Sequence, residues 1–410
     1  MDKNTKSNKR MFKKILNTAT ERLLTISGAV TGIAVLFISI FLFKEGLGLF
    51  KSPAIEKGYA LYVNSKNPVN TLSPEEIKEI FDSEITNWKA IGGINQDIRI
   101  YRIDEIFQQY SDEELGEDYK LLPEKLTTVI NENENIIAFI PEQYAPVQTL
   151  GIKKLPIKNI TLYDYFLGKE WLPTATPSPL FGTLPLLLGT LLVSIMAIII
   201  ALPFGLGVAI YLSELANERT RRILKPVIEL LAGIPSVVYG FFGLVVLAPL
   251  VQKIFHLSVG ETAFTGSLIL AIMALPTIIS VAEDAMRNTP RAMREASLAL
   301  GATQWQTIYK VVIPYAKSGI SAAVVLGIGR AIGETMAVMM VTGNAAVMPT
   351  SLFDSVRTIP ATIAAELGEA PAGGAHYQAL FLLGCMLFVI TMIISIVAEM
   401  ISKKKNYKTI

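Results

Sequence analysis

The sequence predicts an all-α polytopic membrane protein of six transmembrane helices, with an α/β domain inserted between the first two. Of its 410 residues, 51% are hydrophobic and only 18% charged, a more apolar balance than a soluble domain carries. Six apolar runs are long enough to cross about 30 Å of hydrocarbon at about 1.5 Å per residue. They are Leu23–Phe43, Thr183–Leu212, Val227–Val251, Ser267–Ala282, Ala316–Met340 and Gln378–Met400. Between the first two lies a polar segment with β-rich stretches of strand length.

The net charge of +2 gives no global pull toward nucleic acid. Cys385 is the single cysteine and lies in an apolar run, and His256 and His376 are far apart, so neither a disulfide framework nor a metal site is expected.

Taken in order, residues 1–22 form a basic leader with Lys3, Lys6, Lys9, Arg10, Lys13 and Lys14. The apolar core that follows is too long for a signal peptide and no small-residue cleavage site follows it, so residues 23–50 read as a retained first span. Basic residues recur at Arg219–Lys225, at Arg287–Arg294 and in the tail 403–410. By the positive-inside rule both termini are cytoplasmic, in a cell membrane of bacterial type. Lys51–Gly182 carries 13 Lys+Arg against 20 Asp+Glu and falls on the other side.

Residues 51–160 are enough for a small extracytoplasmic domain. Strands are expected at Tyr59–Val63, Asp97–Ile103 and Asn135–Ile140, with a fourth near "LGIKKLPI". "SPEEIKEIF" predicts a helix, with Ser73 as N-cap, Pro74 in the first turn, Glu75 and Glu76 early, and Ile77, Ile80 and Phe81 on one face. The stretches "NPVNTLSPEEIKEIFDSEITNWKAIGGINQDIRIYRI" and "NENIIAFIPEQYA" resemble part of one lobe of periplasmic phosphate-binding proteins. In that family the strand leads into a Gly-Ser-Gly-Thr loop whose N–H groups hold phosphate. Here Asp104 and Glu105 follow instead. The domain is read as a scaffold or docking element rather than a ligand site.

Residues 161–402 hold the remaining spans and a loop, 286–314. In it, Thr289 is the expected N-cap with Pro290 at the first helical position, Gly301 closes the helix in the left-handed conformation, and Thr303 with Gln306 opens a second one. The pair would present Met293, Ala296, Leu300 and Trp305. An amphipathic pair resting on the membrane has the same pattern. Glu295-Ala296-Ser297, Gly301, and the Val312-Ile313-Pro314 ending resemble the EAA loop of prokaryotic ABC importer permeases. That resemblance implies that Glu295, Ala296, Gly301 and Pro314 couple the spans to a cytoplasmic ATPase. The chain has no G-x-x-x-x-G-K-[ST] motif, so ATP-Mg belongs to a partner and this chain binds no cofactor.

The fifth run contains Arg330 and Glu334, four apart and so on one helical face, where they can pair. Gly327, Gly329 and Gly333 would let a helix or a substrate approach the backbone. A charge at mid-membrane costs about 3 kcal/mol on insertion scales, so it must be paired or face a water-filled path. Two readings stay open: an ion pair that fixes packing, or an oxyanion path lined by Arg330, Glu334, Gly329 and Gly333, with the guanidinium fork holding two oxygens. Two other residues, Pro203 and Pro235, should bend the spans that hold them. Glu283 and Asp284 are expected to be solvated, and Glu366, Glu369 and His376 fall in an outer loop, either as exposed side chains or against a binding protein.

"GIGRAIGETMAVMMVTGN", "LAGIPSVVYGFFGL" and "FGTLPLLLGTLLVS" resemble the PstC-type permeases of phosphate-specific ABC importers. The resemblance implies an ABC importer permease fold that moves inorganic phosphate. It also implies a PstA-type permease partner, two ATPase copies and an extracytoplasmic phosphate-binding protein. A molybdate or sulfate permease, or a membrane-anchored phosphate sensor, are the alternatives.

Overall fold

The computed structural model describes residues 2–51, 54–146 and 151–403. The tail expected over 403–410 lies outside the described residues beyond Lys403. Helix α1, Asp2–Gly46, runs through leader and first span without a break. It packs on the last helix of the chain, with Phe41 edge-on to Phe381 at 5.5 Å.

The inserted lobe follows the expected strands closely: β1 is Tyr59–Asn64, then come α2 (Pro74–Phe81), β2 (Arg99–Arg102), α3 (Ile103–Gln109), α4 (Asp112–Leu115), α5 (Leu122–Glu132), β3 (Ile136–Pro141) and β4 (Ile152–Leu155). The sheet order is β2-β3-β1-β4. Strand β2 runs parallel to β3, pairing Arg99 with Ile136, and β1 is antiparallel to β3 and β4. The period-2 alternation of β1 sends Ala60 and Tyr62 into a core with Tyr101, Ile106 and Leu126. It sends Leu61 and Val63 into a second core with Ile77, Ile80 and Trp88. Helix α2 starts as its sequence dictates: Ser73 Oγ accepts from Glu76 N at 3.2 Å, and Glu76 accepts from Ser73 N at 2.7 Å. Asp104 and Glu105 occupy the first turn of α3, directly after β2, where the helix dipole favours carboxylates.

The lobe joins the membrane part through a neck built from α6 (Leu162–Leu167) and the short pair β5 (Trp171–Leu172) and β6 (Leu180–Phe181). Leu49 and Ala54 from the entering chain share an apolar cluster with Tyr165, Trp171, Phe181 and Leu383. Tyr165 Oη donates to Ala379 O at 3.0 Å, Ser178 Oγ to Ala54 O at 2.5 Å, and Glu56 N to Pro177 O at 3.1 Å.

The membrane part continues with α7 (Leu184–Ile210), α8 (Glu218–Ala232), α9 (Ser236–Phe242), α10 (Ala248–Phe255), α11 (Ala263–Arg287), α12 (Arg291–Ala299), α13 (Gln304–Thr307), α14 (Ile313–Tyr315), α15 (Lys317–Gly333), α16 (Met336–Val341), α17 (Ile359–Glu366) and α18 (Ala375–Lys403). Among the described residues five helices are long and apolar enough to cross a membrane, and the pair Gln304–Tyr315 and Lys317–Gly333, bent by 72°, makes six if it is one span. Single π-turns sit at Tyr211–Leu215, Gly243–Leu247 and Ile308–Val312.

Three expectations about the spans are corrected. The third run does not start at Val227, which belongs to α8; a break at Gly233–Pro235 separates α8 from the span that starts at Ser236. Pro235 therefore precedes a helix, where its missing N–H is no loss, whereas Pro203 does lie inside α7. The fifth run is not one helix to Met340: it unwinds at Glu334 and Thr335.

Helix α11 is the centre of the bundle, between α7 and α15. An added Cβ at Gly205 would lie 2.8 Å from Ile278, and one at Gly327 would lie 2.9 Å from it, so these two glycines let both neighbours close on α11. Glu283 is not solvated. It is 1% exposed, with Arg221 Nη2 and Lys225 Nζ each 2.7 Å from its oxygens, while Asp284 is exposed and also meets Lys225 at 2.9 Å. Burying a carboxylate is tolerable only with such partners, and those partners come from α8.

Candidate translocation site and coupling loop

The loop over 286–314 folds as two short helices at a sharp turn. Helix α12 begins one residue later than its sequence suggested. Pro290 takes the cap position with extended backbone, and the Thr289 hydroxyl is buried without a hydrogen-bond partner among the described residues. The end is as expected: Gly301 has φ +84°, Gly301 N donates to Leu298 O at 2.9 Å and Ala302 N to Ser297 O at 3.2 Å. These two bonds satisfy the last carbonyls of α12 in the Schellman pattern. Thr303 and Gln306 form the capping box of α13. Glu295 and Ala296 are exposed on α12, and Leu300, at 89% exposure, stands out with Trp305 from the turn. Pro314 lies in α14, just before the 72° bend.

A residue counted at first only as a positive charge holds this loop. Arg294 reaches Glu214 with two nitrogens, Nε at 3.1 Å and Nη2 at 2.8 Å, and also donates to Met286 O at 2.9 Å and Thr289 O at 2.7 Å. Gln304 adds a bond to Glu214 O at 3.1 Å. The loop is thus tied to the π-turn after α7 and to the end of α11. Glu214 is 80 residues away in sequence, which leaves no local pattern to read; the one available signal was an acidic residue at the close of an apolar span.

Further along, α15 carries Arg330 on its last turn, about 20 Å from Lys317 along the axis. The expected Arg330–Glu334 pair does not form among the described residues. Glu334 is extended, at φ −71° and ψ 129°, so the two side chains share no helical face. The physical reason is the start of α16: the Glu334 carboxylate accepts from Ala337 N at 3.4 Å, placing negative charge at the N-terminal end of that helix. Arg330 is half-buried and its Nη1 donates to Thr277 Oγ1 of α11 at 3.4 Å, a long contact that leaves most of the guanidinium's donors for other partners. Gly329 and Gly333 are exposed with open space where a Cβ would be, whereas Gly327 is packed.

On the lobe side, Glu366 is no exposed loop residue. Its Oε1 accepts from Arg357 Nη1 at 2.6 Å, and its Oε2 meets His376 Nε2 and Trp171 Nε1, both at 2.9 Å. Burial acts against its charge, but the bonds from His376 and Trp171 and the charge of Arg357 win, holding the carboxyl below its usual range.

Among known proteins, the chain is 38% identical over 256 residues to the probable ABC transporter permease protein YqgH of Bacillus subtilis, covering 62% of this chain and 82% of that one. It is 40% identical over 266 residues to the phosphate transport system permease protein PstC of Mesorhizobium japonicum, covering 60% and 80%. Among solved structures, the inward-facing MetNI methionine ABC transporter matches at 20% identity and a TM-score of 0.43, over 53% of this chain and 95% of that chain. The model of the binding-protein-dependent transport system inner membrane component matches residues 201–407, about half of the chain and the whole stretch from mid-α7 through the loop of α12 and α13 to α18, and the protein belongs to that family.

Proposed function

We propose that this chain is a PstC-type permease subunit of an ATP-driven importer of inorganic phosphate. The observation that carries the reading is 40% identity to a phosphate permease across 80% of that protein's length. It is a transport subunit, not an enzyme. The loop of α12 and α13 faces the cytoplasm with both termini, and the lobe of residues 51–160 lies outside the cell. The rest of the assembly comprises a PstA-type permease, two copies of an ATPase that holds ATP-Mg, and an extracytoplasmic phosphate-binding protein.

The residues support a division of labour. Glu295, Ala296, Leu300 and Trp305 form an exposed knob for the ATPase, with Gly301 setting the turn and Arg294 transmitting its motion to α7 and α11. Pro314 marks the elbow into α15. At the far end Arg330 stands beside the open backbone of Gly329 and Gly333, where a tetrahedral anion can replace the long Thr277 contact with charge-assisted bonds. Glu334, engaged at the start of α16, sits four residues on and disfavours fully ionised anions relative to those that keep a proton to donate. The lobe serves as a scaffold or docking element, since carboxylates fill the helix start where phosphate would bind.

The test is uptake of labelled phosphate by proteoliposomes containing the chain with its partners, with and without ATP, and with sulfate and molybdate as competitors. ATP-dependent uptake resistant to both competitors is expected. Uptake abolished by either competitor assigns another oxyanion, and no ATP-dependent uptake refutes transport.

A further inference from the structure

The neck beneath the lobe meets the bundle at a largely buried carboxylate. Trp171, in β5, is 2% exposed and donates its indole Nε1 to Glu366 Oε2 at the end of α17. The other oxygen of Glu366 accepts from Arg357 Nη1, and His376 of α18 completes the cluster. A buried indole N–H and a carboxylate with little access to water each need the other, so a displaced Trp171 disturbs Glu366.

Arg357 carries the cluster further. Its Nε donates to Asn344 O at 2.9 Å, and Asn344 Nδ2 donates to Met339 O at 2.7 Å, inside α16. The chain on either side of Arg357 is held too: Val356 N donates to Thr342 O at 2.8 Å and Ile359 N to Thr190 Oγ1 at 2.9 Å. Gly343 and Asn344 leave α16 at φ +81° and +51°, a tight reversal that these bonds enclose. Helix α16 has only six residues, too few to be stable alone. It depends on its packing against α9, where Gly240 admits Ala337 and Met340, and on the contacts at its two ends. Glu334, four residues after Arg330, supplies the first end contact, and Asn344 supplies the last.

We propose that Trp171, Glu366, Arg357 and Asn344 form a conformational relay through which the neck of the lobe controls the order of α16. A displacement of the neck then loosens the segment that follows Arg330, and the lobe acts on the translocation site mechanically, with no ligand of its own. The outward placement of the lobe rests on the proposed import assembly, but the relay does not depend on what is transported. A cluster that merely staples the neck in place would leave α16 indifferent to Trp171.

The test is amide hydrogen exchange on the full chain in lipid nanodiscs. Trp171→Phe keeps a ring against Phe181 but lacks the donor, and it should speed exchange in α16 about fivefold while α11 hardly changes. Arg357→Lys keeps the charge beside Glu366 but loses the fork that also reaches Asn344, and it should speed α16 to a similar extent. Adding Trp171→Phe to Arg357→Lys should then change α16 by less than about twofold, because the relay is already cut. Asn344→Gly, which suits φ +51° and removes the amide from Met339, is a second cut and should mask Trp171→Phe in the same way. Exchange in α16 within about twofold of the parent in Trp171→Phe, a full further gain in either double variant, or equal acceleration in α11 would each overturn the proposal. None of these measurements involves phosphate, so they stand apart from the outcome of the uptake assay.

Discussion

Replacing Arg294 with alanine should release the loop of α12 and α13 while leaving the spans intact. The substitution removes two bonds to Glu214 and two to main-chain oxygens, and it strands a carboxylate that is only 8% exposed. Breaking a buried ion pair from one side costs roughly 3–5 kcal/mol, and the 21% exposure of Arg294 places this case near the lower end, at about 3 kcal/mol. That corresponds to a shift of about 150-fold in the balance between docked and released loop. Hydrogen exchange on the purified subunit reads this directly: amides of α12 should lose protection by about that factor, while those of α7 near Ile198 should hardly change. Adding Glu214→Ala should restore part of the loss, since the stranded charge is then gone. If α12 in Arg294→Ala exchanged within about twofold of the parent protein, the idea that this side chain anchors the loop would be wrong.

Arg330→Lys keeps the charge but removes the fork, so phosphate uptake should fall by about tenfold or more in the proteoliposome assay; uptake at the parent level would count against a substrate role. Gly301→Val places a β-branched residue at φ +84° and should cost about 1–3 kcal/mol, seen as weaker co-purification of the ATPase; an open site where the Cβ would lie means that backbone strain alone is responsible. Ser73→Ala should lower the stability of the lobe by about 1 kcal/mol in denaturant melts, by loss of the α2 cap. Because the Glu366 carboxyl titrates lower folded than unfolded, its stabilisation is present above the unfolded value of about 4.5 and is lost as pH falls through the lower folded value. Melting temperatures of the detergent-solubilised protein should therefore drop on acidification across that window, and Glu366→Gln should flatten the drop; a rise on acidification would contradict the sign.

Features that depend on neighbours in the chain were legible. The lobe's strands follow β-rich runs bounded by polar turns, and α2 and α13 start at the Ser73 and Thr303 boxes because capping is a matter of three residues. Hydropathy finds a span by mass of apolar side chains, and for that reason it merged Val227–Ala232 with the span that begins at Ser236: α8 is as apolar on one side as a span is all round. It also ran through Glu334, since one extended residue leaves composition untouched. Partners far apart in sequence were invisible. Glu283 looks like a solvated end residue until Arg221 and Lys225 are brought to it, and Arg294 is one basic residue among several until Glu214 arrives. The roles proposed for Arg330 and Gly329 rest on chemistry and open space rather than on any pairing pattern.

The neck beneath the lobe has an evolutionary corollary. Chain entering at Ala54 touches the neck at Pro177 and Ser178 and shares one apolar cluster with Ile160, where the lobe ends, so the lobe forms a closed loop on a fixed base. Such a module can be gained, exchanged or lost in one genetic event without displacing a single helix of the bundle. A shortened chain that bridges Ala54 to Ile160 by a few glycines should still insert and assemble, and the properties it lacks would define what the module was recruited to do.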